Sequence, residues 1–157
     1  MRYQLHTTQQ LNCDLATAWQ FFSSPHNLSQ ITPKEMNFVV KTDIKADEIY
    51  EGMEIAYTVS PILNIAMKWK TLITDVDFQK SFTDFQKTGP YKYWNHHHEF
   101  IPNENGVLMK DTVVYELPFG FLGTIAHKMF VKSKLASIFD YRYKILEERF
   151  NHVIVAE

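Results

Sequence analysis

From about residue 36 to residue 117 the chain is a succession of period-2 segments joined by turns too short to hold a helix. Parallel strands need crossover connections of a dozen or more residues, so this stretch can only fold as an antiparallel meander. Its strands are predicted at about 36–43, 52–60, 64–76, 79–86, 92–102 and 107–117. The connections contain Gly52, Ser60-Pro61, Gly89-Pro90 and Asn103-Glu104-Asn105-Gly106, all residues that favour turns. Upstream, residues 2–12 alternate Tyr3, Leu5, Thr7 and Leu11 against Arg2, Gln4, His6 and Gln10, which predicts a first strand. Leu15, Ala18, Trp19 and Phe22 then recur at helical spacing, with Asp14 where a helix N-terminus favours negative charge. Ser24-Pro25 reads as N-cap and first residue of a second short helix through Leu28 and Ile31, ending before Pro33. Pro118 and Gly120–Gly123 bound a loop. Residues 124–150 place apolar side chains at 125, 126, 129, 130, 136, 139, 143, 146 and 150, one amphipathic helix about 40 Å long at 1.5 Å per residue. The tail NHVIVAE carries no assignment. The order is β-α-α-β6-α, an α+β arrangement in which the long helix must cover the inner face of a curved sheet.

At 157 residues, with no repeat or linker to divide them, residues 1–157 are expected to form a single domain. The chain is 45% hydrophobic and 15% aromatic, which argues against disorder. Sixteen basic and eighteen acidic residues leave no positive field to hold phosphates, so nucleic acid is not an expected partner. The lone Cys13 can form neither an intrachain disulfide nor a cysteine metal set, and a reducing compartment fits it best. It reads as a buried structural thiol rather than a helix-activated one. MRYQLHTTQQ lacks the apolar core of a signal peptide and no window reaches the ~20 apolar residues of a membrane span, so a cytoplasmic protein is expected. With five glycines there is no GxSxG elbow, P-loop or GxGxxG.

The chemistry concentrates in YKYWNHHHEF. Side chains alternate along a strand, so His96 and His98 share a face with Trp94 and Phe100, while His97 points outward with Asn95 and Glu99. Closing the hairpin at Asn103–Gly106 sets His98 opposite Asp111, His96 opposite Val113 and Trp94 opposite Tyr115. It also keeps Lys110, Thr112 and Glu116 outside, and a one-residue slip would bury those three. The Gly89-Pro90 turn sets Asp84 opposite His96, Phe82 opposite His98 and Gln86 opposite Trp94. The result is a polar cluster of Asp84, Gln86, His96, His98 and Asp111 on an otherwise aromatic wall.

Three readings of that cluster stand open: a satisfied network that fixes strand register, the polar floor of a ligand pocket, or a catalytic or metal centre. The HxH pair could supply two metal ligands with Asp84 or Asp111 as a third. A cupin-like set would want a glutamate four or five residues after His98, where Pro102 and Asn103 stand, so no metal and no cofactor are expected. Asp140 and Arg142 read as a surface pair.

The strings FTDFQKTGPYKYWNHHHEF, DTVVYELPFGFLG and FDYRYKILEERF resemble a bacterial subgroup of the Bet v 1/START-like (SRPBCC) ligand-binding domains. Its pattern runs F-x-D-x-Q, G-P-[FY]-x-x-W-x-H-x-H-x-F, D-x-V-x-Y-x-L-P-x-G and F-x-Y-R, and the likeness covers nearly the whole chain. One departure is Asp14, where the family carries a proline. The resemblance implies a helix-grip fold: a seven-stranded curved antiparallel sheet wrapped around the long C-terminal helix, with a cavity between. It also implies binding or transport of a hydrophobic small molecule or lipid there. The residues expected to meet that ligand are Trp69, Phe82, Asp84, Gln86, Trp94, His96, His98, Phe100, Asp111, Val113, Tyr115, Phe119 and Met129. Since a minority of such domains are cyclases, dehydratases or hydrolases, His96, His98, Asp84 and Asp111 are the candidates for acid–base work, although enzyme activity is not the leading reading. The turns Pro61-Ile62-Leu63, Gly89-Pro90-Tyr91 and Pro118-Phe119-Gly120-Phe121-Leu122 gather at one end of the meander. There they would make a portal, a lid, or a surface for a transient membrane contact or a protein partner, with Lys128, Lys132 and Lys134 nearby. Monomer and homodimer both remain open.

Overall fold

Alternation along the chain becomes strands wherever one face is apolar. The computed structural model describes residues 1–60 and 65–152; the Pro61-Ile62-Leu63 turn and the last five residues of the tail lie outside them. The elements are β1 (Arg2–Leu11), α1 (Leu15–Ser23), β2 (Val39–Val40), β3 (Glu54–Val59), β4 (Met67–Asp77), β5 (Ser81–Thr88), β6 (Tyr93–Asn103), β7 (Gly106–Glu116), α2 (Gly120–Ala126) and α3 (Lys132–Phe150). All neighbouring strands pair antiparallel in one seven-stranded sheet of order β1-β7-β6-β5-β4-β3-β2. This is the expected helix-grip architecture. Register shifts at Lys70/Thr71 and Ile73/Asp75 interrupt the β4–β5 ladder, the kind of irregularity that bends a strand and helps a sheet wrap.

The β6–β7 hairpin has the register read from its turn: His98 pairs with Asp111, His96 with Val113 and Trp94 with Tyr115. On β5–β6, Asp84 pairs with His96 and Phe82 with His98. That ladder stops at Phe85 and Asn95, one step short of the expected Gln86–Trp94 pair. Gln86 instead closes the turn, its Nε2 donating to the Tyr91 carbonyl (2.7 Å) and its Oε1 accepting from the Tyr91 amide (3.2 Å). Gly89 makes room for it, since a Cβ there would lie 2.4 Å from Gln86 Oε1.

Three segments depart from the sequence reading. The strand expected at 36–43 is only Val39–Val40, because Met36 closes a 3-10 turn and Asn37 takes a left-handed conformation (φ 46°). The second short helix, Pro25–Ile31, is 3-10 throughout, and Ser24 holds its N-cap position without a side-chain capping bond. The loop expected at Gly120–Gly123 is already helical, and the long helix is interrupted by a π turn at His127–Val131. The corner ahead of it is made by left-handed backbone at Phe119 (φ 67°) and Gly120 (φ 49°). At α1, Asp14 caps as its charge suggested, its Oδ1 accepting from the Thr17 amide at 2.7 Å.

Helix α3 buries Leu135, Phe139, Arg142 and Leu146, one stripe at four-, three- and four-residue steps. Its C-terminal end is tied to β1: buried Gln9 donates through Nε2 to the Tyr143 carbonyl (2.9 Å) and to Glu147 Oε2 (3.0 Å). At one end of the sheet Trp19, Phe82, Phe100 and Leu146 pack together; at the other, Trp94, Val113, Tyr115 and Phe139 do. Gly106, at the β6–β7 turn, has φ +114°, and a Cβ there would sit 2.3 Å from the Leu11 carbonyl oxygen. Gly106→Ala should therefore cost at least the roughly 1–3 kcal/mol of a strained backbone, read as a lower midpoint in urea unfolding with the slope unchanged.

Candidate functional site

Between α3, the α1/3-10 segment and the sheet lies a partly open cavity of about 200 Å³. Its wall takes residues from all three apolar clusters: Phe22 and Ile31 from one end, Trp69 and Phe139 from the other, Ile55 and Ile73 between. Against this apolar background the acidic and basic side chains of Asp84 (β5), His96 and His98 (β6), and Arg142 (α3) reach the wall, with the phenols of Tyr57 and Tyr91. Asp111 (β7) stands directly behind them, buried.

Backbone register made His96–Asp84 and His98–Asp111 the opposed pairs, but the side-chain hydrogen bonds cross over. His96 Nε2 bonds Asp111 Oδ1 at 3.0 Å, and His98 Nε2 bonds Asp84 Oδ2 at 2.8 Å. The register contacts are present as well: His96 Nδ1 lies 3.5 Å from Asp84 Oδ2, and His98 Nδ1 lies 2.8 Å from Asp111 Oδ1. That last approach is too badly directed to be a hydrogen bond and leaves Nδ1 without one. Each imidazole thus spans both carboxylates, and the two rings lie 3.8 Å apart, centre to centre. Phe82 stacks on His98 at 4.2 Å and Phe139 meets the edge of His96 at 5.6 Å, which fixes both rings.

Arg142 is no surface residue. It is 8% exposed, and its Nη2 donates to Asp111 Oδ1 at 3.3 Å. Spacing carried the signal, since Arg142 lies three residues after Phe139 and four before Leu146 on the buried stripe. A second signal was charge: two inward carboxylates cannot be buried without cations to match them.

Burial would raise the Asp111 carboxyl, but the Arg142 charge, the hydrogen bond of His96 and the close imidazole of His98 outweigh it and hold it well below the usual range. Asp84 is also lowered, burial being overcome by the two imidazoles. The histidines are pushed apart. Burial and the neighbouring His98 charge lower His96, whereas at His98 the two carboxylates, Asp111 close by and Asp84 hydrogen-bonded, overcome burial and raise it. Two carboxylates, one guanidinium and one imidazolium would sum to zero, and of the two histidines His98 is the one whose surroundings favour the proton. Because Asp111 has a folded pKa below its unfolded value of about 3.9, the stability it contributes is present above about pH 4 and lost as pH falls through the folded value. Chemical unfolding of Asp111→Asn at pH 7 and pH 3 should accordingly show a smaller loss on acidification than the parent chain shows.

Of the residues expected to meet a ligand, Trp69, Phe82, Asp84, Trp94, His96 and His98 line the cavity. Gln86, Phe100, Asp111, Val113 and Tyr115 are buried outside its lining, while Phe119 and Met129 are exposed, as are Phe121, Leu122 and Phe130 beside them. On the helical side of the wall, Phe22, Leu28 and Ile31 were missed because amphipathic spacing marks them as core without showing that the core is hollow there, and Leu135 and Ile138 because the stripe was expected to run through 136, 139 and 143, of which Ala136 and Tyr143 are exposed. His97 is on the outer face but half-buried, its Nδ1 2.9 Å from Thr83 Oγ1. Cys13 is free, and burial, with Asp14 beside it, pushes its thiol up and away from reactivity.

No protein-family model and no curated protein matches the chain. Solved structures do. A START superfamily protein from Mycobacterium smegmatis superposes with a TM-score of 0.69 at 13% identity, over 94% of this chain and 96% of that one. The ginseng major latex-like protein 151 from Panax ginseng gives 0.69 at 15%, over 97% and 99%. A point mutant of norcoclaurine synthase from Thalictrum, complexed with a transition-state analogue, gives 0.64 at 15%, over 95% and 96%. At such identities the likeness is one of fold: the chain has the helix-grip fold of these START-type proteins.

Proposed function

We propose that this protein binds a compact, largely apolar small molecule in the cavity between sheet and α3, with the polar end of that molecule against Asp84, His96, His98 and Arg142. The observation that carries the reading is an apolar cavity into which one cluster of charged and imidazole side chains, Asp84, His96, His98 and Arg142, reaches from the sheet and α3. Pockets that hold a ligand by hydrophobic contact and orient it with a few placed polar groups have this composition. The volume, about 200 Å³, falls below the roughly 300–1,000 Å³ of drug-sized sites and favours a compact molecule over a long acyl chain. No helix among the described residues is long and apolar enough to cross a membrane. Native mass spectrometry of gently purified protein should show a bound small molecule that is displaced in Ile138→Trp, a substitution that fills the cavity. A chain that carries nothing, and whose Trp69 and Trp94 fluorescence responds to no apolar probe, would refute it.

One observation favours a second reading, acid–base catalysis on the bound molecule. His96 and His98 reach the same cavity with their proton affinities driven in opposite directions, which is how neighbouring groups come to serve as base and acid at one pH. Under this reading His96 would accept a proton and His98 supply one. Incubating the co-purified molecule with parent and His96→Gln protein distinguishes the two, since only a catalyst returns a changed product that the variant fails to make.

A further inference from the structure

We propose that Asp84, His96 and His98 form a binding site for one divalent transition-metal ion, backed by Asp111 and Arg142. The three side chains come from adjacent strands and offer donor atoms that all lie within 4.8 Å of one another. Asp84 Oδ2 is 2.8 Å from His98 Nε2 and 3.5 Å from His96 Nδ1. For an ion about 2.1 Å from each donor, those edges subtend angles of roughly 85° and 115°, within the range of octahedral and tetrahedral sites, while the His96–His98 edge, which lies within 4.8 Å, must close to less than about 4.2 Å when the ion binds. Cupin-like spacing argued against a metal because it looked for the carboxylate further along β6. Here the carboxylate is supplied across the ladder by β5, where Asp84 pairs with His96.

The ring nitrogens that face away from this point strengthen the assignment. His96 Nε2 and His98 Nδ1 lie 3.0 and 2.8 Å from the same oxygen, Asp111 Oδ1, which Arg142 Nη2 holds at 3.3 Å. Metal-bound histidines characteristically donate their other N–H to a carboxylate, which fixes the tautomer and makes the ligand more basic. At His98 the Nδ1 contact with Asp111, 2.8 Å but poorly directed, would become such a bond after a small ring rotation. Asp84, His96 and His98 line the cavity and Asp111 does not, so the three ligands border open space while their support does not. Two imidazoles with one carboxylate suit zinc, cobalt or ferrous iron better than calcium or magnesium, which prefer all-oxygen shells. The remaining positions of the ion would face the cavity.

Titration of the tag-free full chain with Co²⁺, followed by visible absorption, tests the site without any cavity ligand, so it fails or succeeds separately from the binding reading. One equivalent should bind with nitrogen and oxygen ligation by X-ray absorption, weakened at least about tenfold in Asp84→Asn and His96→Ala. His97→Ala, on the outer face, should bind as the parent does. No saturable binding below about 1 mM, or equal affinity in Asp84→Asn, overturns the proposal. Asp84→Asn is the decisive variant if His96→Ala does not fold, because the change is isosteric and Asp84 is the most exposed of the three.

Discussion

Asp111→Ala should cost about 3–5 kcal/mol, among the largest losses any single substitution in this chain can produce. The estimate follows from what is left behind: Arg142 remains a buried cation without its carboxylate, and removing one partner of a buried ion pair typically costs that much. Truncating a surface carboxylate such as Asp43, whose pairing with Lys45 at 4.0 Å is fully exposed, should be nearly silent. Guanidinium unfolding of the two variants measures the contrast. The double replacement Asp111→Leu with Arg142→Met should recover much of the loss, since apolar groups of similar volume can replace a buried pair at little net cost. If the double variant is no more stable than Asp111→Ala, the penalty lies in packing and the electrostatic account is wrong.

Phe100→Ala should lose a similar amount, about 3–5 kcal/mol, for a different reason. Its ring is 2% exposed and lies 5.7 Å from Trp19, 5.4 Å from Phe22 and 6.1 Å from Phe82, so its removal leaves a void among rigid aromatic neighbours. For a chain of this size the melting temperature should fall by about 10 °C or more. Phe100 is outside the cavity lining. The folded fraction of Phe100→Ala should therefore bind a cavity probe with parental affinity, whereas Ile138→Trp should keep its stability and lose the probe. Loss of both properties in Phe100→Ala would mean that the cavity extends to that ring.

The sheet was legible because its register depends on few things. One short turn at Asn103–Gly106 and an unbroken alternation over Trp94, His96, His98 and Phe100 leave a single pairing that buries the apolar face, and β6–β7 has it. Register names Cα partners, however, and not hydrogen-bond partners. Imidazoles lean along the strand, and each histidine reached the carboxylate diagonal to its own pair. Arg142 was misread because a charge on a helix is usually solvated; only its place between Phe139 and Leu146, set beside the unbalanced carboxylates of the sheet, points inward. The short β2 and the π turn follow from local backbone conformation at Asn37 and His127–Val131, which hydrophobic period cannot encode.

The pairing of β1 with β7 joins Arg2 to Glu116 and Leu11 to Val107, the two extremes of the sheet in chain order. Contacts so distant in sequence carry a large loop-closure cost before they return any stability, and chains rich in them fold slowly. During synthesis β1 emerges long before β7, its partner among the described residues, and must wait, unpaired, for almost the whole meander to be made. Its exposed Arg2, Gln4, His6 and Thr8 alternate with less exposed residues, which lessens the hazard of a strand-forming segment left open to other chains. A circular permutant that begins at β2 and joins the original termini places β1 after α3, so that β7 is already made when β1 emerges. It should refold faster than the parent with little change in the final structure, provided the new linker spans from the end of α3 to the start of β1.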